Sequence, residues 1–401
     1  MLKKQLFINF TVLILFCFLG LLILEFGLRF FEQEIFSFPP MKIVCNRLLH
    51  KSNLDIYRFD NEGQKIVHTI INKEGFIGLN YEIVKPSDTY RIAFLGDSFT
   101  EAFQVDYEKN FVFLTDQFLN TALRSGNFNF QNKEIKKIEV MNFGVSGTSV
   151  ADGIIYYNEY VKKYKPDLVI FSSYMGNDLS ENIQNVGFTD SLLSLDPKTN
   201  LIPQVRVLNT IKENRKFKNW LFAHFATIRF FSRAIKGNSL SFALANKLGL
   251  FRKSDVNQSE LEKYYDTAKY HIVPFSQVVS NDINFSVELI KNLNQLVKRD
   301  ETEFIVLFIP AALNLNEDLV NSFQKQLATG QVYDANYSTK KIIELLGDSV
   351  KNIDLYNGFY HGLQKDFYFS IVGHLNEVGH QKTAEIIKDY LINLKTSYVQ
   401  K

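Results

Sequence analysis

The chain of 401 residues has few cysteines and almost no net charge. Cys17 and Cys45 are its two cysteines, and neither has CxxC spacing or metal-ligand neighbours, which excludes a disulfide framework and a zinc motif. The formal net charge is +2, so no strong field favours a polyanion, and nucleic acid is not an expected partner.

Recognisable metal and nucleotide motifs are also missing from the sequence. The seven histidines are scattered, without H-x-x-x-H spacing or a carboxylate-containing ligand cluster, so no metal site is predicted. The glycines around Gly144 and Gly147 lack the GxGxxG fingerprint and the lysine of a phosphate-binding loop. We therefore expect no cofactor.

A long apolar run does occur at the N-terminus. It covers residues 6–28, follows Lys3 and Lys4, and is long enough to cross a bilayer. No A-x-A-like cleavage site follows it, although a cleaved signal peptide and a buried helix stay open as alternatives. The preceding lysines predict a cytoplasmic N-terminus. Residues 1–31 are thus interpreted as a cytoplasmic stub and signal-anchor, with the rest of a single-pass protein periplasmic or extracellular.

The remaining sequence predicts a connector followed by an α/β domain. Residues 32–88 contain Pro39-Pro40 and turn signals between short apolar pieces, as expected for a small β-rich lead-in. In residues 89–401, short buried-strand patterns alternate with helical patterns. The strands are predicted at 92–95, 138–143, 167–174, 303–309 and 350–355, and helices at 111–123, 150–164 and 377–394. This order predicts a doubly wound, three-layer sandwich around a five-stranded parallel sheet.

An excursion of about a hundred residues, at about 182–281, separates the third and fourth predicted strands. It is too long for a bare loop, so a helical insertion is expected. Its stretch 217–233 is aromatic, basic and amphipathic. A lid over the site, a surface lying on the membrane and helices packed on the edge of the sheet are the interpretations left open.

Polar residues follow the predicted strands where parallel sheets carry their ligands. The first strand is followed by Gly96-Asp97-Ser98, the second by Gly144 and Gly147, the third by Gly176-Asn177-Asp178, and the last helix is preceded by Gly373-His374. Taken singly, these pieces have ordinary explanations as a helix cap, a turn or a loop. Asn376 is expected to cap the last helix, and His380 inside that helix is expected to be structural.

These four blocks, in this order on this strand pattern, resemble the SGNH (GDSL-type) hydrolases. The resemblance covers the sheet from about Arg91 to the C-terminus, outside the excursion. The longer forms, residues 95–101 and 373–380, resemble the bacterial extracytoplasmic branch, whose members often lie beside surface-glycan machinery. The resemblance implies a flavodoxin-like SGNH fold in residues 89–401.

The same resemblance assigns roles to the block residues. Ser98 is the implied nucleophile and His374 its general base. The backbone N–H groups of Ser98 and Gly147 and the side-chain amide of Asn177 are the implied oxyanion donors. Asp97 and Asp178 are interpreted as residues that hold loops in place, and no part in proton transfer is assigned to them.

One family feature is missing. The family usually places an aspartate two or three residues before the histidine, where this chain has Val372 and Ile371. Three alternatives stay open: Asp366 or Asp354 reaches His374 from elsewhere, a backbone carbonyl holds the ring, or Ser98 and His374 act as a dyad.

We therefore expect a membrane-anchored serine esterase that removes acetyl or another small acyl group from a carbohydrate or related ester. An O-acyltransferase acting on a surface glycan with the same Ser–His chemistry is the second hypothesis. A non-catalytic glycan-binding or assembly protein is the third. The expected partners are an acylated glycan or small ester, the lipid bilayer and glycan-synthesis machinery.

Overall fold

The structure, a computed structural model, describes residues 2–30, 41–44, 47–60, 65–126, 128, 134–186, 220–221, 224–228, 230–231, 266–360, 364–369 and 373–397. The chain divides into two compact units. One contains residues 1–51, 56–59 and 212–257, and the other contains residues 52–55, 60–211 and 258–401. The domain limits expected from the sequence stay a prediction.

The strands are numbered in chain order. They are β1 Met41–Val44, β2 Arg47–His50, β3 Leu54–Asp60, β4 Lys65–Ile71, β5 Thr89–Gly96, β6 Lys137–Gly144, β7 Leu168–Tyr174, β8 Ile272–Val273, β9 Glu303–Ile309, β10 Val332–Tyr333 and β11 Lys351–Asp354.

The helices are numbered in the same way. They are α1 Leu2–Phe30, α2 Ser98–Glu101, α3 Phe111–Arg124, α4 Val150–Tyr156, α5 Asp178–Val186, α6 Gln277–Arg299, α7 Glu317–Gln326, α8 Tyr337–Leu346, α9 Tyr356–Phe359, α10 Gln364–Phe367 and α11 Glu377–Ser397. Short 3-10 turns cover Tyr107–Lys109, Lys269–His271, Ala312–Leu315 and Gly347–Ser349.

A five-stranded parallel sheet forms the centre of the second unit. Its order is β11-β9-β7-β5-β6, and every neighbouring pair is parallel. All eight residues of β5 are buried, as are all residues of β9 after Glu303. Continuous apolar runs of this kind are typical of strands covered on both faces. The predicted α/β fold with a five-stranded parallel sheet is confirmed.

Helices cover both faces of the sheet. On one face α3 and α11 pack together, and the Phe111 ring of α3 lies 5.5 Å from the Phe94 ring of β5. On the other face α4 packs on β7 so closely that a Cβ on Gly153 would lie 2.9 Å from the Phe171 ring and 3.6 Å from Leu293 of α6. The sheet and its two helical layers make the predicted three-layer arrangement.

A buried ion pair fixes the amino-terminal end of the sheet. Arg91 of β5 is fully buried, and its Nε donates to Glu139 of β6 at 2.7 Å. Its other nitrogens donate to the carbonyls of Tyr164 and Glu82, at 2.8 and 2.6 Å. A buried charge is tolerated when its donors are satisfied in this way. The arginine therefore ties the lead-in and the turn after α4 to the two strands.

Some predicted bounds differ from the observed ones. The helix predicted at 150–164 is an α-helix only to Tyr156, and then continues as a π turn over Tyr157–Val161 and a 3-10 turn over Lys162–Tyr164. The limits 182 and 281 expected for the excursion fall inside α5 and α6. The described residues 220–221, 224, 226–228 and 230–231 are helical, and the rest of the predicted helical insertion between 187 and 265 lies outside the described residues.

The apolar N-terminal run forms α1. Lys4–Phe30 has a mean hydropathy of 2.8, and among the described helices α1 alone is long and apolar enough to cross a membrane. A signal sequence would have the same length and composition. In the β-rich lead-in, β1 pairs with β2 in antiparallel orientation, and β3 and β4 form a second two-stranded sheet.

Candidate active site

Two glycines bring the nucleophile block and the second block together at the carboxyl edge of the sheet. Gly96 ends β5, Gly144 ends β6, and the two lie directly opposite each other in the ladder. A Cβ on Gly144 would lie 2.3 Å from the backbone nitrogen of Glu101, so only glycine allows α2 to approach β6 this closely. Asn142 strengthens this contact, because its amide donates to the Thr100 carbonyl at 2.8 Å.

Ser98 and His374 are hydrogen-bonded to each other. His374 Nε2 lies 2.8 Å from Ser98 Oγ, although the two residues are 276 positions apart in the chain. Both side chains are half-buried. Ser98 is the first residue of α2, and Asp97 caps that helix by accepting a hydrogen bond from the Phe99 nitrogen at 2.9 Å. The cap expected from the sequence is therefore present at Asp97, and the role of Ser98 as nucleophile stays a prediction.

Aromatic rings pack next to the imidazole of His374. The Phe99 ring is stacked on Tyr174 at 3.8 Å and lies 4.9 Å from the His374 ring. Gly373 precedes the histidine with a φ of 85°, a left-handed conformation that favours glycine. The ring contact and the turn together limit the positions that the imidazole can adopt.

A buried glutamate holds the loop that contains Gly147. Glu101, the last residue of α2, is 2% exposed, and its Oε2 accepts hydrogen bonds from the Ser146 nitrogen at 3.2 Å and from the Ser146 hydroxyl. Gly147 follows with a φ of 73°, and both Ser146 and Gly147 are exposed. Helix α2 therefore positions the neighbouring loop directly, through the Glu101 carboxylate.

A second glutamate holds Asn177. The Asn177 amide nitrogen donates to Glu181 Oε1 at 3.0 Å, one helical turn further along α5. A primary amide has two N–H groups, so one is still available for a ligand. Gly176 precedes Asn177 because the Tyr174 ring lies where a Cβ would be, at 2.2 Å. The Glu181 carboxylate thus fixes the orientation of the Asn177 amide.

Two fully buried aspartates lie beneath these groups. Burial raises the pKa of Asp97 to about 7, against the lowering effect of the Phe99 hydrogen bond. Burial also raises the pKa of Asp178 well above its usual value, and the neighbouring charges of Asp97 and Glu181 add to this effect. Asp178 accepts a hydrogen bond from the Tyr174 nitrogen at 2.9 Å. Both carboxylates thus accept hydrogen bonds from backbone N–H groups, and their role as loop supports stays a prediction.

The Asp97→Asn variant tests the cost of burying this carboxylate. Because the folded-state pKa lies above the ordinary value of 3.8, the folded chain binds more protons than the unfolded chain between pH 4 and 7. The free energy of unfolding contributed by Asp97 therefore falls as pH rises through this window. Asparagine keeps the cap and removes the charge. Urea unfolding should show the variant gaining stability relative to the parent as pH rises, and parallel curves would contradict this.

His380 and Asn376 have the structural places expected of them. His380 is 1% exposed inside α11, where its Nδ1 accepts a hydrogen bond from the Phe111 nitrogen at 3.3 Å. Burial lowers the pKa of His380 to about 3, which keeps the ring neutral. Asn376 Oδ1 accepts a hydrogen bond from the Gly379 nitrogen at 3.0 Å, as an N-cap does.

The acid that would orient His374 stays a prediction. The two oxygens of the Asp354 carboxylate accept hydrogen bonds from the Asn336 amide and the Tyr356 nitrogen, at 2.8 and 2.9 Å. Asp366 has an exposed side chain, and its backbone carbonyl accepts a hydrogen bond from Asn376. Ile371 and Val372 lie outside the described residues.

The sequence did not single out Glu101 or Glu181. Glu101 lies at the end of the extended block 95–101, and Glu181 lies four residues after Asn177, a spacing that pairs side chains on a helix. The place of Glu101 in the block and the spacing of Glu181 from Asn177 are the sequence features from which both residues could have been predicted. In the part of the chain that the structure describes, no group of three or more His, Cys, Asp or Glu side chains is placed to hold a metal ion.

Comparisons with known proteins identify similar solved structures. No family model and no curated protein matches the chain. A two-domain esterase active on acetylated mannans is 12% identical, with 77% of this chain covered but only 50% of that chain, and a TM-score of 0.34. An acetylxylan esterase from Geobacillus stearothermophilus and a lipase/acylhydrolase from Enterococcus faecalis are each 12% identical, with 76% of this chain and 96% of theirs covered, and TM-scores of 0.36.

The chain thus spans half the length of the two-domain esterase and nearly all of the other two proteins. The features that agree with the resemblance found in the sequence are the chain's own. These are the order of the parallel strands, the four blocks at their carboxyl ends, and the hydrogen bond between the first block's serine and the last block's histidine. The chain is thus similar in fold to the SGNH (GDSL-type) hydrolases that its four blocks resemble.

Proposed function

We propose that the chain is a serine ester hydrolase that removes acetyl or another small acyl group from a carbohydrate or related ester, outside the cytoplasm. The observation that carries the proposal is the 2.8 Å hydrogen bond between Ser98 Oγ and His374 Nε2. A nucleophile within reach of its base is the signature of covalent acyl transfer. The carbohydrate substrate and the location follow from the family resemblance and from α1.

The first half of the reaction forms an acyl-enzyme. Ser98 Oγ attacks the ester carbonyl carbon while His374 Nε2 takes the hydroxyl proton. The negative charge that develops on the carbonyl oxygen is stabilised by the N–H groups of Ser98 and Gly147 and by the Asn177 amide. Collapse of this intermediate breaks the bond to the leaving oxygen, and His374 returns the proton to that oxygen.

The second half of the reaction restores the serine. Water attacks the acyl carbon while His374 accepts a proton from it. The tetrahedral intermediate then collapses, the bond to Ser98 Oγ breaks, and His374 returns the proton to Oγ, which releases the carboxylic acid and restores the Ser98 hydroxyl. If a sugar hydroxyl replaced water, the same steps would make the O-acyltransferase of the second hypothesis. The serine–histidine contact favours both catalytic hypotheses over a protein that only binds glycans.

Covalent labelling of the full chain in detergent tests the proposal. A fluorophosphonate probe is expected to react once with the protein, and the labelled peptide is expected to contain Ser98. Ser98→Ala should lose the label, while Ser125→Ala, which changes an exposed serine at the end of α3, should keep it. Absence of labelling in a folded parent chain would overturn the proposal.

Release of acetate from a chromogenic acetyl ester separates the two catalytic hypotheses. A hydrolase forms free acetate in water alone. A transferase instead is labelled by the probe, releases little acetate, and forms an acetylated sugar when a sugar alcohol is added. The second result would replace the hydrolase by the transferase.

A further inference from the structure

The outer end of α1 contains an acidic side chain that is not exposed like its neighbours. Glu25 is 9% exposed, whereas Phe26, the next residue of the same helix, is 71% exposed. An ionised carboxylate in an otherwise apolar helix is costly unless its oxygens are satisfied. The partners of Glu25 therefore indicate what this end of α1 is built to contact.

The partners come from the helical residues of the segment 220–231. Glu25 Oε1 accepts a hydrogen bond from the Ala226 nitrogen at 3.0 Å. Glu25 Oε2 accepts hydrogen bonds from the nitrogen and the hydroxyl of Thr227, at 2.9 and 2.8 Å. Arg29, one turn further along α1, pairs with Glu25 at 2.7 Å and also donates to the His224 carbonyl. We call this set of hydrogen bonds the Glu25 contact.

Apolar packing accompanies the Glu25 contact. Leu28 of α1 is 6% exposed and Ala226 is fully buried, and these two residues pack with Leu24 and Phe230. The carboxylate thus caps a helical turn while the leucines cover its apolar side. The described residues of the segment 220–231 are held against α1 by polar and apolar contacts together.

The length of α1 sets the depth of this contact in a bilayer. The apolar run begins at Leu6, and Glu25 is the twentieth residue of that run. At about 1.5 Å per residue, such a stretch spans about 30 Å, the thickness of the hydrocarbon core. Glu25 would therefore lie at the boundary between acyl chains and headgroups, on the side opposite the N-terminal lysines.

We propose that the described residues of the segment 220–231 form an interfacial membrane anchor whose partner is the lipid surface around α1. The inference rests on α1 being a retained transmembrane helix, and it is independent of the chemistry at Ser98. Trp220 and Phe231 are 44% and 48% exposed, and large aromatic side chains are favoured at the headgroup level. The segment lies against the membrane because the Glu25 contact fixes it to the point where α1 leaves the hydrocarbon core.

Trp220 makes the proposal directly measurable, because it is the only tryptophan of the chain. The full chain is reconstituted into phosphatidylcholine vesicles, and the fluorescence of Trp220 is recorded. We expect emission shifted to shorter wavelength than in the denatured chain. We also expect stronger quenching by lipids brominated near the glycerol end of their acyl chains than by lipids brominated near the methyl ends.

Two variants test the role of the Glu25 contact. Glu25→Ala removes the carboxylate and is expected to lose most of the quenching by the shallow bromines, while acrylamide in the water quenches Trp220 more strongly. Phe26→Leu changes the next residue of α1, which is exposed, and keeps it apolar. In this control, the quenching of Trp220 by the brominated lipids is expected to equal that in the parent chain. Unchanged quenching in Glu25→Ala would overturn the assigned contact.

Alkaline carbonate extraction of the same vesicles separates the possible failures. If the chain is extracted, α1 is not a transmembrane anchor, and the inference falls with it. If the chain stays in the membrane but neither brominated lipid quenches Trp220, the segment lies elsewhere and the inference alone is wrong. Neither outcome changes labelling of Ser98, so the proposed hydrolase stands or falls separately.

Discussion

Replacing His374 by glutamine is expected to lower kcat/KM for an acetyl ester by about 10⁴-fold or more. Glutamine can still donate a hydrogen bond, but it cannot accept the proton of the Ser98 hydroxyl. Loss of the general base in serine hydrolases of known mechanism removes most of the rate, and the residual rate comes from binding and from the oxyanion donors. Because Nε2 lies 2.8 Å from Oγ, the proposed base is within hydrogen-bond distance of the hydroxyl proton that it would accept.

The measurement is steady-state hydrolysis of a chromogenic acetyl ester by the full chain in detergent. His68→Gln is the matched control, because the ring of His68 contacts Asp55 and Tyr107 instead of Ser98. The control is expected to keep the parent activity. If His374→Gln retained a tenth or more of kcat/KM while folded, as judged by circular dichroism, another group would have to be the base.

Replacing Asn177 by alanine is expected to lower kcat by about 100- to 1000-fold with little change in KM. The loss of one preorganised oxyanion donor typically has this size. The charge on the carbonyl oxygen develops only in the transition state, so the effect belongs to kcat rather than to substrate binding. Glu181 holds one N–H of the amide at 3.0 Å, which fixes the direction of the other.

Two further variants separate donation from packing at this position. Asn177→Asp has the same shape but no N–H, and it adds a charge beside Glu181, so its kcat should be at least as low as that of the alanine variant. Glu181→Ala keeps the donor but frees its orientation, so a smaller fall in kcat is expected. A rise in KM with unchanged kcat in Asn177→Ala would mean that the amide binds the ground state only.

The fold was predictable because its signals are local. The strands β5 and β6 each end at a glycine, as at Leu95 before Gly96, and β7 is an apolar run with Gly176 two residues after it. Parallel strands place such ends at one edge of the sheet. The convergence of Ser98 and His374 across 276 positions follows from strand order together with the block pattern, and the structure brings these two side chains into contact.

The residues that hold the site loops and the end of α1 were harder to predict, because their hydrogen-bond partners lie far away in the sequence. Glu101 binds the backbone and hydroxyl of Ser146 on another strand's loop, a relation that no periodicity within α2 encodes. Exposed and buried glutamates on a short helix look alike in sequence. The Glu25 contact is similar, since α1 and Thr227 are about two hundred positions apart.

The attachment of the long excursion has an evolutionary consequence. The Thr267 hydroxyl donates to the Gly176 carbonyl at 2.5 Å, and the Asn182 amide donates to Ser286 at 2.9 Å. The chain thus leaves after α5 and returns at positions that are already fastened to the sheet domain. Substitution of Thr267 would remove the hydrogen bond to the carbonyl of the residue before Asn177, so we expect mutational drift at Thr267 to be more costly than drift at an exposed serine such as Ser125.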